Sequence, residues 1–349
     1  MFHALTISAV RPEGSDAVAV SFDVPEALAA AFSYRPGQYL TLRTVVDGHD
    51  LRRSYSIASL PGGPLMVGVK RVDGGAFSNF VQGLQPGDTL QVMPPEGRFT
   101  CDDAARIVLI AAGSGITPMV SIAAEALARG AEVTLIYGNK RTDTIMFRET
   151  LEALKDRHMG RFALIHVLSR EAQDVPLLNG RVNGDKIAQL ALVGAVDLEN
   201  TDGVFLCGPG EMIDDVAARL PELGVAPELV HQERFVVAGE GPRPARSAAA
   251  EAAVAKGVAV EVLLDGTRRK FSMEAGDDSV LEAAERQGIE LPYSCRGGMC
   301  CTCRCRVAQG SVEMAVNYSL EPWELAAGFV LACQARPTSD RVTLDFDAA

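Results

Sequence analysis

The sequence predicts a multidomain chain: an antiparallel β-barrel over residues 1–102, an α/β domain on a parallel sheet over 103–237, a linker at 238–256, and a smaller unit over 257–349. Three observations predict it. Short strand-like runs near the N-terminus are divided by recurring Gly and Pro pairs. Apolar runs then alternate with helix-like segments. Six of the eight cysteines crowd the last sixty residues. A length of 349 residues agrees with two or three domains at about 150 residues each.

In order, the barrel strands are TISAV, VAVSFDV, YLTLRTVV, RSYSIAS, LMVGVKRV and TLQVMPP, punctuated by Pro36-Gly37, Pro61-Gly62-Gly63, Gly74-Gly75 and Pro86-Gly87. From about 104 the runs RIVLIAA, EVTLIYG, FALIHVLS and GVFLCG alternate with helices expected at 118–129, 146–157 and 211–220. Residues 238–256, AGEGPRPARSAAAEAAVAK, show no apolar face and read as linker. Beyond it, VAVEVLL and RRKFSM flank Asp265-Gly266, a pair that tolerates the positive φ of a tight hairpin turn, and a helix is expected at 279–287.

Composition excludes several classes. With 48% hydrophobic and 22% charged residues the chain is neither disordered, collagen-like nor a coiled coil. The 33 Lys and Arg against 45 Asp and Glu, net -12, oppose a general nucleic-acid or anionic-membrane binder, which needs a basic face. The uncharged stretch from Ile107 to Ala124 is broken by Gly113, Gly115 and Pro118, so strand, turn and helix fit it better than a membrane span. The N-terminus MFHALTISAV lacks the basic start and apolar run of a secretory signal, and a cytoplasmic location is expected.

In a reducing compartment clustered cysteines point to metal before disulfide. Cys295, Cys300 and Cys303 share one loop, CRGGMCCTC, and Cys333 follows at a distance: C-x4-C-x2-C…C, the plant-type [2Fe-2S] spacing. Gly297 and Gly298 let the loop curl and aim N–H groups at the sulfurs. A zinc site or a set of buried thiols are the alternatives, but zinc knuckles place ligand pairs on two loops. Cys301 and Cys305 fall outside the spacing, Cys305 as a strand residue.

Strand RIVLIAA runs into Gly113-Ser114-Gly115-Ile116-Thr117-Pro118 and a helix, a context in which glycines admit a pyrophosphate and the helix end offers N–H groups; alone, the motif equally suits a structural turn. A second loop, Cys207-Gly208-Pro209-Gly210-Glu211-Met212, ends another strand, so both loops fall at the carboxyl edge of one sheet. In the barrel, Arg53 and Tyr55 of Arg53-Ser54-Tyr55-Ser56 share a strand face able to hold phosphate and a flat ring, or else form a solvated strand with one packed Tyr. Gly75-Ala76-Phe77-Ser78 opens a short helix whose N–H groups serve the same phosphate.

Taken in order, R-x-Y-S, G-x-x-S, G-S-G-I-T-P, C-G-P-x-x-M and the cysteine loop resemble the ferredoxin-NADP reductase superfamily, in particular oxygenase reductases with a C-terminal ferredoxin domain. The resemblance covers essentially the whole chain. Within that group, YGNKRTDTIMFRETLEALK, HQERF and NYSLEPWELAAGFVLACQA look most like the reductase subunits of phenylacetyl-CoA epoxidases. It implies FAD on the barrel, NADPH on the α/β domain, an α+β β-grasp ferredoxin domain, and electron delivery to the oxygenase component of a multisubunit diiron system. Carried over residue by residue, Arg53, Tyr55 and Ser56 attend the flavin, with Gly75 and Ser78 at its pyrophosphate. Gly113, Gly115, Thr117 and Pro118 attend the nicotinamide nucleotide, with Cys207, Gly208 and Pro209 near the nicotinamide. Glu233 and Phe235 match the segment returning to the flavin, Glu233 and Cys207 being the candidate catalytic residues. Cys295, Cys300, Cys303 and Cys333 hold the cluster.

NADPH is favoured over NADH because strand EVTLIYG ends in Asn139, Lys140 and Arg141, and the next ends in Ser169-Arg170, where NAD sites commonly place an acidic residue. Such cationic residues are also ordinary on solvated loops. Flavin reconciles a two-electron hydride donor with a one-electron cluster. The alternatives are the reductase of another aromatic-ring or steroid-ring oxygenase, an electron carrier without pyridine-nucleotide turnover, which the GSGITP and CGPGEM loops oppose, and a non-redox protein, which the complete cysteine spacing opposes. Arg296, Arg304 and Arg306 crowd the cysteine loop and suggest a basic docking patch on an acidic domain.

Overall fold

A computed structural model describes residues 2–235 and 244–348. The chain divides into two compact units, Met1–Phe235 and Val236–Ala349.

In the first unit, β1 (His3–Pro12), β2 (Ala17–Asp23), β3 (Tyr39–Val46), β4 (His49–Ser56), β5 (Leu65–Lys70) and β6 (Thr89–Val92) form a sheet in the order β4-β3-β6-β1-β2-β5. All its pairs are antiparallel. The sheet curls until Ile57, just past β4, bridges Val67 of β5. Alternate residues, among them Val18, Val20, Leu40, Leu42, Val67 and Val69, fill its interior. The β3–β4 turn is Asp47-Gly48, with φ of 51° and 78°, the mirror-image turn that matches strand twist. Helix α1 (Ala76–Gln82) buries Phe77 and Val81 in this barrel.

The chain then builds β7 (Arg106–Ala112), α2 (Ile116–Arg129), β8 (Glu132–Asn139), α3 (Arg148–Arg157), β9 (Phe162–Leu168), α4 (Gly184–Leu192), β10 (Gly203–Gly208), α5 (Gly210–Arg219) and β11 (Val230–Arg234). The five strands are parallel, in the order β11-β10-β7-β8-β9. Ile107, Leu109 and Ala111 of β7 face α2 and α3, while Val108 and Ile110 face α4 and α5. Strand order reverses between β7 and β10, and in open α/β sheets ligands bind at the carboxyl ends beside such a reversal. Ala17, Ala19, Met66 and Phe99 of the barrel enter the α2-side cluster, so barrel and parallel sheet share a buried core.

The second unit differs from the sequence reading at its start. Of the stretch read as linker, residues 238–243 lie outside the described residues, but Ala248–Lys256 is a helix, α6, capped by Ser247 accepting from the Ala250 N–H at 3.2 Å. Its buried face is Ala250, Ala253 and Val254. Alanine is the best helix former, and a face this small leaves little hydropathy contrast to read.

After α6 come β12 (Val258–Leu264), β13 (Thr267–Met273), α7 (Val280–Arg286), β14 (Arg304–Gln309), β15 (Val312–Met314), α8 (Pro322–Ala326), β16 (Phe329–Leu331), β17 (Ala335–Pro337) and β18 (Arg341–Asp345). The mixed sheet runs β13-β12-β18-β14-β16, with β15 and β17 paired separately. Asp265 and Gly266 turn the first hairpin at φ of 53° and 68°, and the Asp347 carboxylate accepts both their N–H groups at 2.7 and 2.9 Å. Among the described residues no helix is long and apolar enough to cross a membrane.

Candidate functional site

The strand reversal places both glycine loops side by side. Gly113 to Gly115 form a single tight turn at the end of β7, leading into α2 with Thr117 and Pro118 buried in its first turn. Gly115 packs against the second loop so closely that a Cβ there would lie 2.0 Å from the Cys207 carbonyl oxygen. Gly113, at φ 56°, has nothing within 4 Å of the same position, leaving open space above the turn. The Thr117 hydroxyl donates to the Ser114 carbonyl at 3.0 Å and so braces the loop. Pro209 caps α5 just after Gly208 ends β10.

Three residues distant in sequence meet beside these loops. Cys207 and Glu233 are register partners on β10 and β11, and the Ser56 hydroxyl at the end of β4 donates to Glu233 Oε2 at 3.0 Å. Glu233 keeps some solvent-exposed surface yet lies in dense protein. Desolvation raises its carboxyl from 4.5 to about 7, a rise moderated by the Ser56 hydrogen bond. Cys207 is fully buried and its thiol is pushed well up by burial and then by the Glu233 charge, so it remains neutral. Phe235, 40% exposed, stands just past β11.

On the barrel, Arg53 and Tyr55 lie on one face of β4, both half-buried. The Tyr55 ring lies 5.8 Å from Phe77 on α1, and burial raises its phenol. Arg53 donates to the Arg52 carbonyl at 2.7 Å. Gly75 precedes α1, and the Ser78 hydroxyl is used within this turn, accepting from the Val72 N–H at 3.1 Å and donating to the Gly75 carbonyl at 3.2 Å.

At the far end of the sheet edge, Lys140, Arg141, Ser169 and Arg170 are exposed and adjacent: Ser169 N–H donates to Asn139 O at 2.9 Å and Arg170 N–H to Lys140 O at 2.8 Å. Sequence reasoning gave no side-chain role to Asn139, which is buried at the end of β8 with its amide beside the Tyr137 phenol. Its position at the end of β8 was the available signal.

In the second unit the four cysteines come together two by two. Cys295 and Cys300 hydrogen-bond through their thiols, which lowers Cys295 to about 6, and Cys303 and Cys333 likewise, which lowers Cys333. The first pair is half-buried and the second buried. Backbone N–H groups of Gly297 and Cys300 reach Cys295 Sγ at 3.4 Å, that of Cys295 reaches Cys300 Sγ at 3.5 Å, and Cys333 N–H reaches Cys303 Sγ at 3.5 Å. Buried Gln334 donates to Cys333 Sγ at 3.4 Å. Donors aimed at sulfur stabilise thiolate ligands. A binuclear iron-sulfur cluster takes two thiolates per iron, which is the number each of these pairs offers. Cys305 lies buried in β14, its thiol donating to Val330 O at 3.8 Å.

Of the three arginines expected to form a basic patch, two are paired with carboxylates and Arg306 stays exposed. Arg296 pairs with Glu285 and stacks on Tyr293; Arg304 pairs with the wholly buried Glu324 at 2.7 Å and lies over Phe329; Arg306 donates to the Ala327 carbonyl at 3.1 Å. Each guanidinium has found a neighbour that the linear sequence could not indicate.

Family models match in the same order: an oxidoreductase FAD-binding domain at residues 5–101, an oxidoreductase NAD-binding domain at 109–218 and a 2Fe-2S iron-sulfur cluster binding domain at 262–338. The chain is 44% identical to a subunit of 1,2-phenylacetyl-CoA epoxidase from Escherichia coli (strain K12), over 99% of this chain and 98% of that one. The chain belongs to the flavin and iron-sulfur reductases of oxygenase systems. This reductase is also 36% identical to the ferredoxin reductase component of 3-ketosteroid-9-alpha-monooxygenase from Rhodococcus rhodochrous, over 98% and 96% of the two chains. Its fold matches phthalate dioxygenase reductase, with a TM-score of 0.59 at 22% identity, over 99% of this chain and 98% of that one.

The reductase is thus a NAD(P)H-dependent flavin and iron-sulfur oxidoreductase that uses FAD and a [2Fe-2S] cluster and has an oxygenase partner.

Proposed function

We propose that this reductase takes reducing equivalents from NADPH and delivers them singly to a diiron oxygenase that epoxidises phenylacetyl-CoA. The observation carrying this reading is full-length similarity at 44% identity to the Escherichia coli epoxidase subunit, supported by the basic pair Arg141 and Arg170 where a nucleotide 2′-phosphate would lie. Bound FAD supplies the step from a two-electron donor to a one-electron cluster. Arg53, Tyr55, Ser56 and Phe235 hold the flavin, with Gly75 and Ser78 near its phosphates. Gly113, Gly115, Thr117, Pro118, Gly208 and Pro209 shape the NADPH cleft; Arg141, Ser169 and Arg170 hold its 2′-phosphate. Cys295 and Cys300 ligate one iron, Cys303 and Cys333 the other.

The test is reconstitution. With purified epoxidase oxygenase subunits, NADPH-driven epoxidation of phenylacetyl-CoA is expected, with NADPH giving the higher kcat/KM. Support for a steroid oxygenase alone, the reading favoured by the 36% relative, would contradict the assignment of partner.

Glu233, its carboxyl raised to about 7 beside the Ser56 hydroxyl, changes charge within the neutral range at the edge of the cleft. Because its folded-state affinity for the proton is raised from 4.5 to about 7, the fold is favoured below 4.5 and loses that advantage as pH rises through this window. Glu233→Gln should therefore unfold later than the parent at pH 8, by about 1–2 kcal/mol once solvent at its exposed edge is allowed for. The gain should vanish near pH 4.5, as read by thermal melts across pH.

A further inference from the structure

Beyond the paired residues Asn139 and Leu168, the ends of β8 and β9 remain joined. Two backbone bonds continue the ladder, Ser169 to Asn139 and Arg170 to Lys140. A side chain then closes it: Glu171 accepts the Thr142 N–H at 2.9 Å on Oε2 and the Thr142 hydroxyl at 2.6 Å on Oε1. Both carboxylate oxygens are engaged by one residue of the opposite loop.

We propose that this Glu171–Thr142 clamp sets coenzyme preference, by holding Arg141 and Arg170 together for a 2′-phosphate and by keeping the Glu171 carboxylate from the ribose hydroxyls. The proposal rests on the NADPH reading and adds to it the residues that impose it.

The chemistry is a conflict between two anions. A carboxylate at the strand ends of such a sheet is the usual acceptor for the two ribose hydroxyls of NAD, and the same carboxylate repels a phosphate on that ribose. Glu171 directly follows Arg170, and left unheld it would serve the unphosphorylated coenzyme. Thr142 withdraws it with two donors, and these bonds also hold its carboxyl below the usual carboxylate range, so it stays an ionised acceptor throughout the neutral range. Thr142 directly follows Arg141. The same clamp therefore fixes the spacing of the loop that carries each arginine, which matters because bidentate capture of a phosphate by arginine depends on geometry. The Arg141 guanidinium meanwhile pairs with Asp143 at 3.2 Å, with both side chains more than half exposed. An exposed pair of this kind is weak and yields to a doubly charged phosphate.

Glu171 and Thr142 act through the arginines and are positioning residues. The test uses the full-length flavin- and cluster-loaded protein with ferricyanide as acceptor, measuring KM and kcat separately for NADPH and NADH. Thr142→Val keeps the backbone donor and side-chain shape but removes the hydroxyl. It should lower the KM preference for NADPH over NADH about tenfold, the worth of one hydrogen bond to a charged group, with the change in KM rather than kcat. Thr142→Ser should restore the parent preference, which a merely space-filling role would not require. Arg170→Ala separates the two claims. If it erases the preference while Thr142→Val leaves it intact, the clamp is overturned and the NADPH reading stands. If the parent protein shows no preference for NADPH, or Arg170→Ala does not alter one, the NADPH reading fails and the clamp with it.

Discussion

Replacing Cys300 with serine is expected to abolish reduction of cytochrome c by NADPH while leaving reduction of ferricyanide largely intact. Cys300 pairs with Cys295, and its N–H donates to the Cys295 sulfur at 3.4 Å. A serine oxygen fits the space but is a harder ligand that keeps its proton at neutral pH, so one iron loses half its protein ligands. Iron content should fall from about two per chain, while flavin content stays, because the barrel residues are untouched. Ferricyanide accepts electrons from the flavin directly, whereas cytochrome c is expected to need the cluster. Equal loss of both activities would place the cluster before the flavin or show that the substitution unfolds the chain; retained flavin absorbance distinguishes these.

Gly115→Ala should be nearly as damaging, for a different reason. Its new methyl would lie 2.0 Å from the Cys207 carbonyl oxygen and 2.9 Å from the Gly208 nitrogen, both backbone atoms that cannot swing aside. The two loops must part. Overpacking of this kind costs about 1–3 kcal/mol of stability. The larger effect falls on coenzyme use, because a displacement of about 1 Å in a positioning loop lowers rates about a hundredfold. Flavin should remain bound while its bleaching by NADPH slows. Gly113→Ala is the contrast: with no atom within 4 Å, its methyl meets only the left-handed backbone and whatever ligand enters that space. Unchanged flavin bleaching in Gly115→Ala would show that the Cys207 loop plays no part in the coenzyme cleft.

Much of this architecture was legible because local chemistry and tertiary role coincide. Cysteine spacing specifies a loop geometry directly, and Asp265-Gly266 announces a hairpin. Asp47-Gly48 carries the same signal and makes the same turn, so that hairpin was readable too. Strand β11 was not, since VHQER lacks an apolar run and is held at the sheet edge by its parallel pairing with β10. Helix α4 also escaped, its apolar face short and its cap a single Asn183 accepting the Lys186 N–H at 2.8 Å. The meeting of Ser56 with Glu233, 177 residues apart, follows only from the docking of barrel on parallel sheet. The arginines near the cysteine loop show the same limit: charge read along the sequence does not reveal that Glu285 and Glu324 pair with Arg296 and Arg304, while Arg306 stays exposed and donates to the Ala327 carbonyl.

Electrons are expected to pass in one order, from NADPH to flavin to cluster to oxygenase. Anaerobic stopped-flow mixing of the loaded reductase with NADPH, followed at separate flavin and cluster absorbance bands, tests it most directly. Flavin bleaching should come first, with cluster reduction following, and in Cys300→Ser the flavin phase should persist alone. Cluster reduction that precedes or matches flavin bleaching, or a flavin that NADPH does not bleach, would contradict that order.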